Sequence, residues 1–213
     1  MKIIAIGAHL DDIELACGGA LARAAKNNHK VKMISMTDSA YTDCDGNVLR
    51  TKNDSLREGK LAAKKIGVED LVVFGFKARD LPYDSQSIIA LEKEINLFKP
   101  DYIFTHWIFD THQDHRNAAL ATISAARYYN NILMYEPFPP SGRSYFPFRP
   151  QIYIDISNTI ETKILAMKQH KSQCSKYGKD WVEAIKGRAR MRGFECAYKY
   201  AEVFELVRSE LKI

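Results

Sequence analysis

Cysteine is scarce in this sequence, and the few cysteines present form none of the usual clustered patterns. There is no CxxC pair among the four cysteines, which are Cys17, Cys44, Cys174 and Cys196. Such wide spacing argues against a disulfide framework and against a zinc ribbon. We therefore expect free thiols and a cytoplasmic protein.

Long apolar runs, internal repeats and low-complexity segments are missing as well. The first apolar run holds only about six residues before charged residues begin, which is too few for the core of a signal peptide. No later run reaches the roughly eighteen apolar residues of a membrane span. These absences predict a soluble protein without a membrane partner.

The overall composition is that of an ordinary folded protein. Of its 213 residues, 46% are hydrophobic and 27% are charged, and this length favours one domain over residues 1–213. The formal charge of +5 is small and scattered, so it does not indicate a nucleic-acid partner. A positive field of this size weakly favours an anionic substrate or an acidic partner.

Short apolar runs alternate with longer amphipathic stretches along the first two thirds of the chain. The apolar runs predict strands, at residues 2–8, 30–36, 70–76, 101–107 and 132–138. Between them, apolar residues at helical spacing predict helices, at residues 13–27, 54–66, 86–98 and 114–129. Repeated βα units of this kind predict an α/β fold, with a three-layer, Rossmann-like, doubly wound and mainly parallel sheet that carries helices on both faces.

The remaining segments are less regular. Prolines and aromatic residues after Pro137 predict a loop over one edge of the sheet. Further on, the pattern predicts a strand at 151–157, one helix at 159–173, and a second helix followed by a strand at 201–207. The loop from Asp38 to Asn53 contains an Asp-Gly turn signal and is long enough to be a functional cover or a small hairpin.

Two charged clusters follow the first and fourth predicted strands. The first is AHLDDIEL at 8–15 and the second is DTHQDH at 110–115. In a doubly wound sheet, ligands bind outside the carboxyl ends of the strands where the strand order reverses, which in the common order lies between these two strands. The two clusters are therefore expected to face each other.

Either cluster alone has an ordinary explanation. Asp12 could cap the helix that begins near Ile13, and a lone loop histidine is usually solvated or hydrogen-bonded. Histidines and carboxylates at both positions together instead predict a metal site.

Imidazole nitrogen and carboxylate oxygen suit zinc, which in catalytic sites keeps three protein ligands and an open position. His9, Asp12 and His115 form such a set. Asp114 could orient a neighbouring imidazole, and Asp11, adjacent to a ligand, could accept a proton from the attacking water.

Both clusters also match the motifs of a known family. Its first motif, HPDDxE, stands here as HLDDIE from His9, and its second, HxDH, stands as HQDH at 112–115. Further matches lie at residues 37–38, 57–58, 99–107 and 189–204. The sequence therefore resembles, almost end to end, the LmbE-like or PIG-L family of zinc-dependent N-deacetylases, which act mostly on N-acetylglucosamine conjugates.

This resemblance implies a metal-dependent hydrolase. By matching position, it implies that His9, Asp12 and His115 hold one Zn²⁺ per chain, with another divalent metal such as Fe²⁺ left open. The implied reaction uses metal-activated water to remove an N-acetyl group from a small amino-sugar conjugate, giving acetate and a free amine. A homo-oligomer is compatible with this activity.

The resemblance also implies roles for other residues. It makes Asp11 the general base and the group that returns a proton to the departing amine. It makes His112 an imidazolium, oriented by Asp114, that stabilises the oxyanion. It places Arg57 in contact with the substrate, and the part of the chain from about residue 139 is expected to complete the substrate pocket.

Two positions depart from the family pattern. Leu10 replaces the usual proline, and the sequence offers no function for it. Ala197 stands where relatives often carry glycine, in a region expected to shape the pocket or subunit contacts, so a substrate cannot be transferred from any one relative.

Other polar residues have simpler interpretations. Glu14, at the start of a helix, is expected to support the site from behind. His106 lies in an apolar strand and is expected to be a core or supporting histidine. His29 and His170 have no supporting pattern, and Cys17 is expected to be buried and inert.

Three other functions stay open. One is a metal-dependent amidase acting on a non-sugar amide. Another is a nucleotide-binding domain, although GxGxxG is missing and carboxylates would repel phosphates. The last is a metal-binding domain without catalysis, which would not need Asp11 and His112 beside the ligands.

Overall fold

The computed structural model describes residues 1–211. Its nine strands are β1 (Lys2–Gly7), β2 (Lys30–Thr37), β3 (Tyr41–Thr42), β4 (Val48–Arg50), β5 (Asp70–Phe76), β6 (Tyr102–Thr105), β7 (Ile132–Tyr135), β8 (Ile152–Asp155) and β9 (Ala201–Arg208). Its helices over the same residues are α1 (Asp12–Lys26), α2 (Lys52–Ile66), α3 (Ser85–Phe98), α4 (Gln113–Ala125), α5 (Ile160–Met167), α6 (Lys171–Tyr177) and α7 (Lys179–Glu195). All five βα-unit strands predicted from the sequence are present, with slightly different ends.

Seven of the strands form one sheet in the order β5-β2-β1-β6-β7-β9-β8. The first five of these pair in parallel, because each crossover between them is long enough to include a helix. β9 then pairs antiparallel with β7, and β8 antiparallel with β9. The predicted α/β fold with a mainly parallel sheet is confirmed.

Helices cover both faces of this sheet and create two apolar cores. On one face, Leu21 of α1 and Ile66 of α2 belong to a core that also contains Phe104 and Phe204 from the strands. On the other face, the second core contains Leu91 of α3 and its neighbours from α4. Burial on both faces explains why the parallel strands read as continuous apolar runs.

From β1 the sheet extends in two directions, through β2 to β5 on one side and through β6 to β7 on the other. The strand order therefore reverses at β1. The loops that leave the carboxyl ends of β1 and β6 are those that carry the two charged clusters. The sheet therefore brings together two segments about one hundred residues apart in sequence.

Two details of local structure refine the predictions. The segment 38–53 contains the hairpin of β3 and β4, so one of its two predicted forms is confirmed. The single helix predicted over 159–173 is wrong, because a turn at 168–170 separates α5 from α6. This turn buries His170 completely, which a continuous surface helix would not do.

No helix among residues 1–211 combines the length and the apolar character needed to cross a membrane.

Candidate metal centre and its cavity

The first cluster lies where β1 ends and α1 begins. Asp11 occupies the N-cap position of α1, yet its side chain makes no capping hydrogen bond. The carboxylate of Asp12 accepts a hydrogen bond from the backbone N–H of His9 at 2.6 Å, which closes the loop on itself. Helix capping therefore does not account for the Asp11 side chain, which remains free to serve another purpose.

Three side chains from the two clusters converge on one point. His9 Nδ1 lies 3.2 Å from Asp12 Oδ2, and His115 Nε2 lies 3.3 Å from His9 Nδ1 and 3.4 Å from Asp12 Oδ1. Ligands bonded to zinc at 2.0–2.1 Å in tetrahedral geometry are separated by about 3.3 Å. His115 Nε2 has about this separation from His9 Nδ1 and from Asp12 Oδ1, and the three donors lie within 4.8 Å of one another, so the predicted set could hold a metal ion.

Carboxylates behind the two histidines fix their orientation. Asp114 Oδ2 lies 3.0 Å from Nε2 of His9, and Asp110 Oδ2 lies 3.0 Å from Nδ1 of His115. Each carboxylate accepts the ring N–H on the far side, so the other ring nitrogen turns a lone pair toward the shared point. Asp110 is absent from the sequence-based site, although its place at the start of DTHQDH was a usable signal.

His106 supports the same centre from beneath. Its Nε2 lies 3.0 Å from Asp12 Oδ2, and its ring stacks on that of His115 at 4.0 Å between centroids. It is 3% exposed, in agreement with the prediction of a supporting histidine. The same Nε2 accepts a hydrogen bond from the backbone N–H of Ala8 at 3.0 Å, and Oδ1 of Asp12 lies toward His115.

The charged groups of the cluster shift one another's pKa values. Burial would lower the pKa of His9 and of His115, but Asp12 and the carboxylates behind them outweigh burial and raise these pKa values to about 9 and about 10. Burial would raise the pKa of Asp12, but the charges of His115, His106 and His9 hold it well below its ordinary value. The pocket thus keeps Asp12 ionised and attracts positive charge.

His112 differs from the expected imidazolium. Its ring stacks on His115 at 4.6 Å, and its Nδ1 accepts a hydrogen bond from the backbone N–H of Asp114 at 3.2 Å. Burial, together with the charges of His115 and His9, lowers its pKa to about 4. The carboxylate of Asp114 lies at His9 instead of His112.

A buried arginine that the sequence did not single out stands beside Asp11. Nη1 of Arg50 lies 3.7 Å from Asp11 Oδ1, and its Nη2 donates to the carbonyl of Leu10 at 3.0 Å and to Glu58 at 3.3 Å. The Arg50 side chain is 1% exposed. The hairpin of β3 and β4 therefore holds the loop of the first cluster through one guanidinium group.

His170 and Glu14 complete this buried polar cluster. Nη2 of Arg50 lies 3.2 Å from Nδ1 of His170. The other nitrogen, Nε2, lies 3.2 Å from Oε1 of Glu14. Glu14 thus has the expected supporting position, and His170, for which the sequence offered no supporting pattern, lies between Arg50 and Glu14.

Arg57 is not brought to the site. Its guanidinium pairs with Asp54 at 2.7 Å on the surface of α2, and its side chain is 66% exposed. Arg50, seven residues earlier in the chain, lines the cavity instead, as does Arg79. Sequence alone could not separate Arg50 from Arg57, because the β3–β4 hairpin that folds Arg50 inward is set by tertiary contacts.

The structure gives Leu10 a role that the sequence did not. Its backbone N–H donates to Ser39 Oγ at 2.7 Å, and its side chain is buried against α2. A Cβ atom placed on Gly59 of that helix would lie only 2.6 Å from Leu10 Cδ2. A proline at position 10 could not make the hydrogen bond to Ser39, so the departure from the family motif is matched by a local contact.

A cavity of about 180 Å³ opens over His9, Asp12 and His115. The hairpin contributes Tyr41 and Arg50, the loop after β7 contributes Phe138 and Ser141, and α6 contributes Lys176. Pockets for drug-sized ligands are usually about 300–1,000 Å³, so this cavity suits a smaller molecule. Residues beyond 139 form part of the cavity wall. This is the part of the chain that was expected to complete the substrate pocket.

Comparisons with known proteins show the family of this chain. The family model described as PIG-L, GlcNAc-PI de-N-acetylase, matches residues 4–126. A protein of Escherichia coli named uncharacterized deacetylase YaiS is 32% identical over 80% of this chain and 90% of its own length. The diacetylchitobiose deacetylase of Thermococcus kodakarensis is 25% identical over 97% of this chain and 83% of its own length.

A solved structure has the same fold. The N,N'-diacetylchitobiose deacetylase of Pyrococcus horikoshii, solved with an inhibitor, superposes with a TM-score of 0.81 at 21% identity. The match covers 97% of this chain and 84% of the other.

Proposed function

Because the chain belongs to the PIG-L family of de-N-acetylases, we propose that it is a zinc-dependent hydrolase that removes the N-acetyl group from a small amino-sugar conjugate. The observation that carries this proposal is the set of His9, Asp12 and His115 donors, which lie within 4.8 Å of one another and line a cavity. The products are acetate and a free amine.

His9, Asp12 and His115 would hold the zinc ion, which would polarise the amide carbonyl as a Lewis acid and lower the pKa of a water molecule. The chain's own groups supply the proton transfers. Asp11, beside the ligands at the cavity wall, accepts the proton of the attacking water and returns it to the departing amine. Arg50 keeps the Asp11 carboxylate at that wall.

His112 stabilises the negative charge that develops on the acetamide oxygen. Since its Nδ1 accepts a backbone hydrogen bond, its ring proton resides on Nε2. A neutral imidazole can donate that N–H to an oxyanion, so this role does not require the imidazolium form. Asp114 and Asp110 act through His9 and His115, whose rings they hold in one orientation.

The size and lining of the cavity support a small sugar unit as the substrate. Aromatic rings of Tyr41, Phe138 and Trp181 line it together with polar groups, a combination suited to the apolar faces and hydroxyls of a sugar. The Thermococcus relative is named diacetylchitobiose deacetylase, and diacetylchitobiose is an acetylated amino sugar. The alternative amidase would act on a non-sugar amide.

The proposal is tested by measuring free amine and acetate released from a panel of acetamido sugars and simple N-acetyl amines by the zinc-loaded protein. We expect release from at least one acetamido sugar. An Asp11→Asn variant should retain bound zinc and lose activity by about two to four orders of magnitude, as for removal of a general base. Release only from non-sugar amides would favour the alternative, and no release from any member would refute the deacetylase.

A further inference from the structure

Two positive side chains stand at the cavity without a carboxylate partner. Arg79, in the turn after β5, and Lys176, in α6, both line the cavity over the metal-binding residues. Within residues 1–211, neither has a carboxylate oxygen within 4.0 Å, whereas Arg50 in the same wall pairs with Glu58 and Asp11. The cavity therefore contains positive charge that the protein itself does not neutralise.

Both cations converge on one aromatic ring. The guanidinium carbon of Arg79 lies 5.2 Å from the centre of the Tyr41 ring, and Nζ of Lys176 lies 4.9 Å from the same centre. Like charges placed around one ring repel each other, and a ring quadrupole compensates only part of that cost. An anion bound near them would neutralise both.

The backbone of Arg79 is held in a strained conformation by the site. Its φ is +68°, in the left-handed region that non-glycine residues seldom occupy. Its N–H donates to Asp114 Oδ2 at 2.6 Å, and its carbonyl accepts from Gln113 at 3.1 Å. Strain of this kind is often kept at ligand-binding positions.

The side chain of Arg79 is anchored at its other end as well. Its Nη1 donates to the carbonyl of Thr42 at 2.8 Å, next to Tyr41 in the hairpin. The guanidinium is thus fixed across the cavity wall between the turn after β5 and the hairpin, and its remaining N–H groups are available to a ligand.

We propose that Arg79 and Lys176 form an anion subsite around Tyr41, so that the substrate is an N-acetylated amino sugar bearing a phosphate or carboxylate group. This inference rests on the proposed deacetylase function and narrows its substrate class. The acetamide lies at the metal-binding residues, and the anionic substituent reaches Arg79 and Lys176 across the same small cavity. The net positive charge of the chain adds a favourable long-range field.

The test compares kcat/KM for N-acetylglucosamine, its 1- and 6-phosphates, and N-acetylmuramic acid, which carries a carboxylate. We expect at least one anionic sugar to exceed the neutral sugar by about tenfold, as for two partly exposed charge contacts. The phosphate and carboxylate arms identify which anion is preferred. The advantage should shrink at about 1 M salt, where screening is strong.

Variants assign that preference to the subsite. Arg79→Gln keeps the backbone hydrogen bonds of residue 79 to Asp114 and Gln113 and removes the guanidinium group. Lys176→Gln provides a second, independent change in α6. The double variant should reduce the ratio of anionic to neutral kcat/KM to within about twofold. The matched control, Arg127→Gln, removes a surface charge that pairs with Glu92 and should leave the ratio unchanged.

A binding measurement separates this inference from the proposed function. Calorimetry with glucosamine and glucosamine 6-phosphate reports the subsite without turnover, and we expect the phosphate to bind more tightly to wild type than to the double variant. Turnover of neutral sugar with no anionic preference would overturn the subsite and leave the deacetylase standing. If no sugar is deacetylated, tighter binding of the phosphate still supports the subsite, and equal binding overturns it.

Discussion

The buried pair of Arg50 and Glu58 makes a quantitative prediction about the stability of the site. Arg50→Met replaces the guanidinium with an apolar chain of similar length and leaves Glu58, which is 5% exposed on its side chain, without its cation. Asp11 loses the same partner, and the carbonyl of Leu10 loses its hydrogen bond.

The expected cost follows from that burial. Removing one partner of a buried ion pair usually destabilises a protein by about 3–5 kcal/mol, because the remaining charge stays buried and unpaired. Total unfolding free energies are about 5–15 kcal/mol, so this loss is large. Glu58 also accepts hydrogen bonds from the backbone and hydroxyl of Ser172. These remain in the variant, so we expect a loss of stability near the lower end of that 3–5 kcal/mol range.

Urea unfolding followed by circular dichroism measures this cost, in wild type, Arg50→Met, Glu58→Met and the double variant. The double variant leaves neither charge unpaired, so it should be more stable than the sum of the single losses predicts, by about 1–3 kcal/mol. A loss below about 1 kcal/mol in Arg50→Met, or strictly additive losses, would refute the reasoning that this pair is buried and mutually compensating.

Three further perturbations have defined outcomes. Leu10→Pro removes the N–H that donates to Ser39 and should cost about 1–3 kcal/mol in chemical unfolding, and unchanged stability would contradict that contact. Gly59→Ala gains about 1 kcal/mol of helix propensity but forces a Cβ against Leu10, so we expect net destabilisation of about 1 kcal/mol, and a more stable variant would show that Leu10 moves freely. Asp110→Asn removes the carboxylate behind His115 and should weaken zinc affinity by about 10–100-fold in a chelator competition assay, whereas equal affinity would exclude an orienting role.

The fold was largely predictable because its strands are buried on both faces and its helices are amphipathic. Those patterns are local in sequence, and the resulting strand order brought HLDDIE and HQDH together as expected. The helix predicted over 159–173 failed because the burial of His170, which breaks it, depends on Arg50 and Glu14 in distant segments.

The candidate site, like the fold, was predictable only where it follows from local sequence patterns. Residue type and spacing predicted the set of His9, Asp12 and His115, which the structure brings within 4.8 Å of one another because both segments follow strand ends at the point where the strand order reverses. The partners of Asp114 and the charge of His112 depended on side-chain orientation and burial, which spacing does not encode. Arg50 was missed because only the tertiary packing of the hairpin turns it inward, while Arg57, in the more suggestive motif, faces solvent.

The central claim is that a metal held by His9, Asp12 and His115 drives deacetylation. Its most direct test is a zinc titration of chelator-stripped protein, with acetate release from the best substrate of the panel as the readout. We expect activity to be absent at the start and to rise to a plateau at one zinc per chain, and we expect Asp12→Ala to stay inactive throughout. Full activity in the stripped protein, or the same titration curve in Asp12→Ala, would contradict it.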